Sequence, residues 1–110
     1  MTQEIQATFR ALADPTRREI LTHLSKHDMT IGEVASKFEV TRAAIKKHLI
    51  ILEEGKLISV QSRGRERINH LESQALKPAS EWMNYFSQFW DGKLGALQEF
   101  INEEDNKNGK

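Results

Sequence analysis

Two helix starts stand in tandem between residues 30 and 55, and they restrict the fold more than anything else in the chain. Thr30-Ile31-Gly32-Glu33 has the form of a capping box, in which the threonine accepts from the backbone at N3 while the glutamate reaches back. A second N-cap residue, Thr41, follows the short link Phe38-Glu39-Val40. Beyond it Ile45, Leu49 and Leu52 recur at helical spacing, while Arg42, Lys46 and Lys47 fall mostly elsewhere on the wheel. A short helix, a tight link and a second helix with an apolar back and a cationic front is the layout of a helix-turn-helix. Such a rod carries hydrogen-bond donors of a size that fits the major groove, so double-stranded DNA is the expected partner.

The rest of the chain supplies what such a motif packs against. A first helix is expected from about Glu4 to Ala13, with Ile5, Phe9 and Leu12 on one face. Asp14-Pro15 ends it and starts a second, since aspartate caps well and proline at N1 needs no amide hydrogen. That helix turns Ile20, Leu21 and Leu24 inward and stops near Lys26-His27-Asp28. The third runs from Ile31 to Phe38, and the fourth from Arg42 to about Glu54 with Gly55 near its end. The period then changes. Leu57 to Ser62 and Arg65 to Leu71 are β-branched and partly alternating, with Arg63-Gly64 between them, which predicts a hairpin with Gly64 at its tip. An antiparallel ribbon directly after a recognition helix is a wing. From Pro78 to Glu104 one long helix is expected, with Trp82, Phe86, Phe89, Trp90, Leu94, Leu97 and Ile101 as a wide apolar stripe. A small core cannot cover that much aromatic surface, so part of it is expected to pack against a second copy of the chain. A hydrophobic ligand pocket is the other use of such a stripe. The fold class is therefore mainly α: a winged helix-turn-helix of order α-α-α-α-β-β-α on a single domain, residues 1–110.

Charge is balanced overall but not along the chain. Residues 1–40 carry five Arg or Lys against six Asp or Glu, residues 41–70 carry seven against three, and residues 71–110 carry four against seven. A basic middle between acidic ends suits a localised phosphate-facing surface. There is no cysteine, which excludes disulfides, thiolate ligands and cysteine nucleophiles. No apolar run is long enough to span a bilayer, and Met1-Thr2-Gln3-Glu4 does not open a signal peptide, so a cytoplasmic location is expected. No Gly-rich phosphate loop or Ser/His/Asp grouping suggests catalysis, and no cofactor is expected.

Phe9-Arg10-Ala11-Leu12-Ala13-Asp14-Pro15-Thr16-Arg17-Arg18-Glu19-Ile20-Leu21 resembles the opening of ArsR/SmtB-type bacterial repressors. The likeness continues through Thr30 to Ala35, Thr41 to Leu52, the wing, and Phe89-Trp90. The resemblance implies a homodimer formed by the first and last helices (Ile5, Phe9 and the aromatic stripe) and a transcriptional repressor that binds an imperfect inverted repeat. Metal-sensing members carry cysteines on the helix equivalent to Ile31–Phe38, or Asp, His and Glu on the last helix. Here the first has no cysteine, and the last has Glu81, Asp91 and Glu99 but no histidine. His23 and His27 are the one i, i+4 histidine pair, with no third histidine or cysteine nearby. The chain thus resembles the metal-independent branch, and its inducer is unknown. Where the family usually has a small residue followed by glycine, this chain reads Gly55-Lys56, so either the turn differs or Lys56 takes the strained position. Ile50 replaces a frequent basic residue and can pack under the wing or touch a thymine methyl.

The candidate DNA contacts are Thr41, Arg42, Ala43, Lys46, Lys47 and His48 on the fourth helix, with Arg63, Arg65 and Arg67 on the wing. Arg42 at N1 can fork onto guanine, and Ala43 is small enough to let the helix approach base edges. For Arg42, Lys46 and Lys47 the plain alternative is a solvated cationic face. His48 either donates to a phosphate or is a half-buried histidine bonded within the protein. The three wing arginines suit phosphate or the minor groove if alternation points them the same way, with Glu66 pointing opposite. Arg17 and Arg18, near the start of the second helix, read as structural, with backbone phosphate within reach of an exposed one as the alternative. A dimeric protein-interaction module of the same shape is the alternative function; it requires that charge reversal at Lys46 and Arg65 leave function intact.

Overall fold

Three side-chain caps set the helical part of the fold. The computed structural model describes residues 2–90, with side chains from Ile5 onward. After α1 (Thr2–Leu12), the Asp14 carboxylate accepts from the Arg17 amide at 3.1 Å and Pro15 occupies the first turn of α2 (Pro15–Leu24). Burial pushes the Asp14 carboxyl up, but that bond and the Arg17 charge leave it below its ordinary value. At α3 (Ile31–Ala35) the capping box is complete: Thr30 Oγ1 accepts from the Glu33 amide at 3.1 Å, and the Thr30 amide donates to Glu33 Oε1 at 2.8 Å. Thr41 Oγ1 accepts from the Ala44 amide at 3.1 Å and opens α4 (Arg42–Glu54). Each cap contributes about 1 kcal/mol and fixes where its helix begins.

α3 stops at Ala35 rather than Phe38. Ser36 Oγ donates to the Glu33 carbonyl at 2.7 Å, and the chain leaves the helix through three-residue turns at Lys37 and Phe38. Serine bonding of this kind competes with the helical ladder.

The sheet has one strand more than expected. β1 (Met29–Thr30), β2 (Ile58–Arg63) and β3 (Glu66–Leu71) are antiparallel in the order β1-β3-β2. Two residues have no readable period; β1 is specified by its partner, since Met29 lies opposite Asn69 and its carbonyl accepts from Asn69 Nδ2 at 3.1 Å. The wing itself is the expected hairpin. Arg63 pairs with Glu66, leaving Gly64 and Arg65 as a two-residue turn. Gly64 has φ 64°, and Lys56 is the one non-glycine with positive φ among the described residues, so the turn is type II′ with glycine first.

Ile20, Val34, Ile45, Leu52 and Leu57 are fully buried, joined by Ala11, Leu21, Leu24, Met29, Leu49 and Ile58. The core therefore sits behind α4, under the first three helices and the base of the sheet.

The turn from α4 into the wing explains the Gly55-Lys56 order. The Leu57 amide bonds the Leu52 carbonyl at 3.0 Å and the Lys56 amide bonds the Glu53 carbonyl at 2.9 Å, the paired bonds of a Schellman motif. Lys56 takes the left-handed position at φ 60°. Glycine stands one residue earlier because a Cβ there would lie 3.0 Å from the Ala7 carbonyl oxygen and 3.2 Å from Ala11 Cβ. The close approach of α1 to α4 requires the glycine more than the turn does.

The expected long last helix is shorter. α5 (Lys77–Tyr85) follows a 3₁₀ turn at Ser73–Leu76 and gives way to another at Phe86–Phe89. There Ser87 Oγ donates to the Asn84 carbonyl at 2.7 Å and Gln88 Nε2 to the Tyr85 carbonyl at 3.0 Å, which tightens the ladder. Leu94, Leu97 and Ile101 lie outside the described residues. The chain divides into one compact unit through Ala79 and another from Ser80. Within the second, Phe86 packs edge-on against Trp82 and Tyr85, each with ring centroids 4.9 Å apart.

An exposed pair fastens the sheet: His70 Nδ1 lies 2.8 Å from Asp28 Oδ1, bringing β3 to the residue before β1. The Asp28 hydrogen bond and charge hold the His70 imidazolium above its ordinary value of 6.5. A raised pKa stabilises the fold fully below the unfolded value and is lost as pH rises through the folded one. The stability difference between the native chain and His70→Gln, read by urea denaturation, is therefore expected to be larger at about pH 5.5 than at about pH 8.5. An equal difference at both would mean the pair carries no folding free energy.

Candidate nucleic-acid interface

α4 presents two chemically distinct sides. Ile45 and Leu52 are at 0% exposure and Leu49 at 7%, whereas Thr41, Arg42, Ala43, Lys46 and Lys47 are all exposed. Among the described residues none of these three cations has a carboxylate within 4.0 Å. The Arg42 guanidinium folds toward α3, with Nη1 3.9 Å from where a Cβ on Gly32 would sit. The N-terminal turn of the helix, which enters a groove first in this motif, is thus uncovered and positively charged.

The wing adds cations but not on one face. Directly paired residues share a face, so Arg63 lies with Glu66, while Arg67 lies with Ser62 on the other side. The expectation that all three arginines point alike, away from Glu66, is corrected: the two-residue turn places Arg63 opposite Glu66 and leaves Arg65 at the tip. Arg67 belongs to the face that looks at α4. It lines a cleft of about 680 Å³ with Arg42, Lys46, Ile50 and Val60, and Ile50 remains 45% exposed there.

His48 faces away from that cleft's lining and into the protein. Its Nδ1 is 3.3 Å from Arg17 Nη1 and 3.9 Å from Asp14 Oδ2. Arginine has only donors, so Nδ1 accepts and the ring proton sits on Nε2. Arg17 also donates from Nε to the Ala11 carbonyl at 2.8 Å and from Nη2 to the Arg10 carbonyl at 2.9 Å; Arg18 donates to the Leu12 carbonyl at 2.8 Å. The last carbonyls of α1 are thereby satisfied by α2, and Arg17 links that corner to the recognition helix. Arg17→Ala is expected to cost about 1–2 kcal/mol in urea denaturation. A loss below a few tenths would show that water replaces these bonds without penalty. The sequence marks Arg17 as structural; the signal for its wider role is its position three residues after a capping aspartate, where it meets the carbonyl-rich end of α1.

A helix-turn-helix domain model matches residues 12–61. The transcriptional repressor SdpR of Bacillus subtilis is 36% identical over 86 residues, spanning 78% of this chain and 96% of that protein. An ArsR-like transcriptional regulator from Rhodococcus sp. RHA1 has a solved structure that superposes with a TM-score of 0.69 at 32% identity, over 89% of this chain and 92% of that one. The chain belongs to the ArsR family of transcriptional regulators. A homodimeric winged helix-turn-helix DNA-binding domain from Mycobacterium bovis shares the fold, with a TM-score of 0.64 at 15% identity over 78% of this chain and 80% of that one.

As an ArsR-family protein this chain is a DNA-binding transcriptional regulator rather than an enzyme. No helix of the described residues is long and apolar enough to cross a membrane. The histidine pair is divided: His23 packs edge-on against Phe38 with ring centroids 5.6 Å apart, and His27 Nδ1 lies 3.0 Å from the Asp28 carbonyl. No three His, Asp or Glu side chains among the described residues are grouped to hold a metal ion.

Proposed function

We propose that this regulator is a cytoplasmic, metal-independent homodimeric repressor that binds an imperfect inverted repeat. The observation that carries the reading is the open front of α4, where Thr41, Arg42, Ala43, Lys46 and Lys47 are exposed while the back of the same helix is in the core. Arg42 and Ala43 read base edges; Lys46, Lys47 and Arg65 hold phosphates, and Arg63 and Arg67 flank them from the two faces of the wing. His48 takes part through its Nε2–H, held in that tautomer by Arg17.

The two compact units work as one domain across residues 1–110, with α1 (Ile5, Phe9) and the Trp82, Phe86, Phe89, Trp90, Leu94, Leu97 and Ile101 stripe forming the dimer contact. Support comes from the exposure of Trp82, Tyr85, Phe89 and Trp90, and from the homodimeric state of the Mycobacterium bovis domain. Repression is supported by the likeness to SdpR. A dimer would set two α4 helices about 34 Å apart, so that each enters a successive major groove. Sedimentation with and without duplex, followed by footprinting of bound DNA, tests this. A dimer protecting two half-sites one helical turn apart is expected. A monomer protecting one continuous stretch would overturn it.

A further inference from the structure

We propose that the cleft between α4 and the wing is a binding site for a small organic monocarboxylate with an apolar body, and that this ligand competes with DNA. One strip of α4 runs Arg42, Lys46, Ile50, Glu53, residues spaced to share a helical side, and all four line the cleft. Polarity is thus graded along it: two cations, then an aliphatic, then an anion. The facing sheet repeats the order, with Arg67 nearer the wing tip and Val60 paired to Asn69 nearer its base. Ile31 completes the apolar lining, and Asn69 is 4% exposed.

This combination fits a ligand better than it fits a duplex. Phosphates need the cations at the mouth but gain nothing from Ile31, Ile50 and Val60 between them. An apolar body would cover those side chains while its carboxylate meets Arg42, Lys46 and Arg67, the few placed polar groups and mainly apolar wall that small-molecule sites share. Glu53 at the far end opposes a second negative charge, which selects a monoanion over a dicarboxylate or inorganic phosphate. Because Arg42 and Lys46 also serve the proposed DNA contact, ligand and duplex exclude each other, so each raises the concentration of the other needed for half-saturation. The site stands apart from the repressor reading; its regulatory consequence alone rests on it.

The test uses the full chain and octanoate, with octanol and inorganic phosphate as controls, followed by backbone amide NMR shifts. Octanoate is expected to give saturable shifts at Ile31, Ile50 and Val60. Octanol should bind at least about tenfold more weakly, and phosphate should leave those amides unmoved. Val60→Asp and, at an exposed position that leaves the core untouched, Lys46→Gln should each weaken octanoate by about tenfold. Shifts confined to the Trp82–Trp90 aromatics, equal binding of octanol, or the same pattern with phosphate would overturn the site. In a parallel titration octanoate should release bound duplex. Cleft shifts in a protein that binds no DNA would refute the repressor reading alone, whereas DNA binding without cleft shifts would refute the ligand site alone.

Discussion

Reversing Lys46 and Lys47 together to glutamate is expected to weaken binding to specific duplex by about 100-fold or more. Each lost phosphate contact lowers affinity and removes about one unit from the salt slope, and each new carboxylate adds repulsion. The double variant should therefore lose about two units of slope as well. Both side chains are exposed and without carboxylate partners among the described residues, so the thermal midpoint should hold. Arg42→Ala should act differently, costing about 1–3 kcal/mol on the cognate site while relaxing discrimination at one base pair. A double reversal that changes affinity less than about threefold would mean α4 is not the docking helix, and would favour the interaction module instead.

Gly55→Ala is expected to destabilise the fold by about 1–3 kcal/mol, although alanine is the better helix former. The added Cβ would meet the Ala7 carbonyl oxygen at 3.0 Å, and a backbone atom in a packed helix cannot swing aside. Lys56→Gly should act in the opposite direction by up to about 1 kcal/mol, because it relieves a left-handed residue without disturbing the Schellman bonds. Urea denaturation of both variants separates the two roles of this turn. If Gly55→Ala were neutral and Lys56→Gly destabilising, the glycine would not be there for helix approach.

The parts of the fold that could be read from the sequence are those specified locally. Thr30, Thr41 and Asp14 mark helix starts because the side chain that caps is next to the amide it caps, and all three bonds are present. Gly64 announces the wing because a two-residue hairpin needs a positive φ there. What escaped was specified at a distance. β1 exists only through its pairing with Ile68 and Asn69 of a distant strand, and the Gly55-Lys56 order made sense only once Ala7 was seen against it. The end of α5 turns on two polar side chains, Ser87 and Gln88, bonding back to carbonyls, where a hydrophobic stripe at helical spacing suggested continuity. The candidate site divided in the same way: exposure of the α4 front follows from its period, but the facing of Arg63 against Arg67 depends on turn length, and the inward hydrogen bond of His48 on Arg17 in another helix.

The most direct test of the central claim is equilibrium binding of the purified chain to the DNA upstream of its own gene, against a scrambled duplex, across a salt series. Tight binding with dimer stoichiometry that survives competitor DNA and retains a preference for the upstream duplex at every salt concentration is the expected result. Absence of binding to any duplex at low salt would contradict the account, because the open cationic front of α4 is the surface it assigns to DNA.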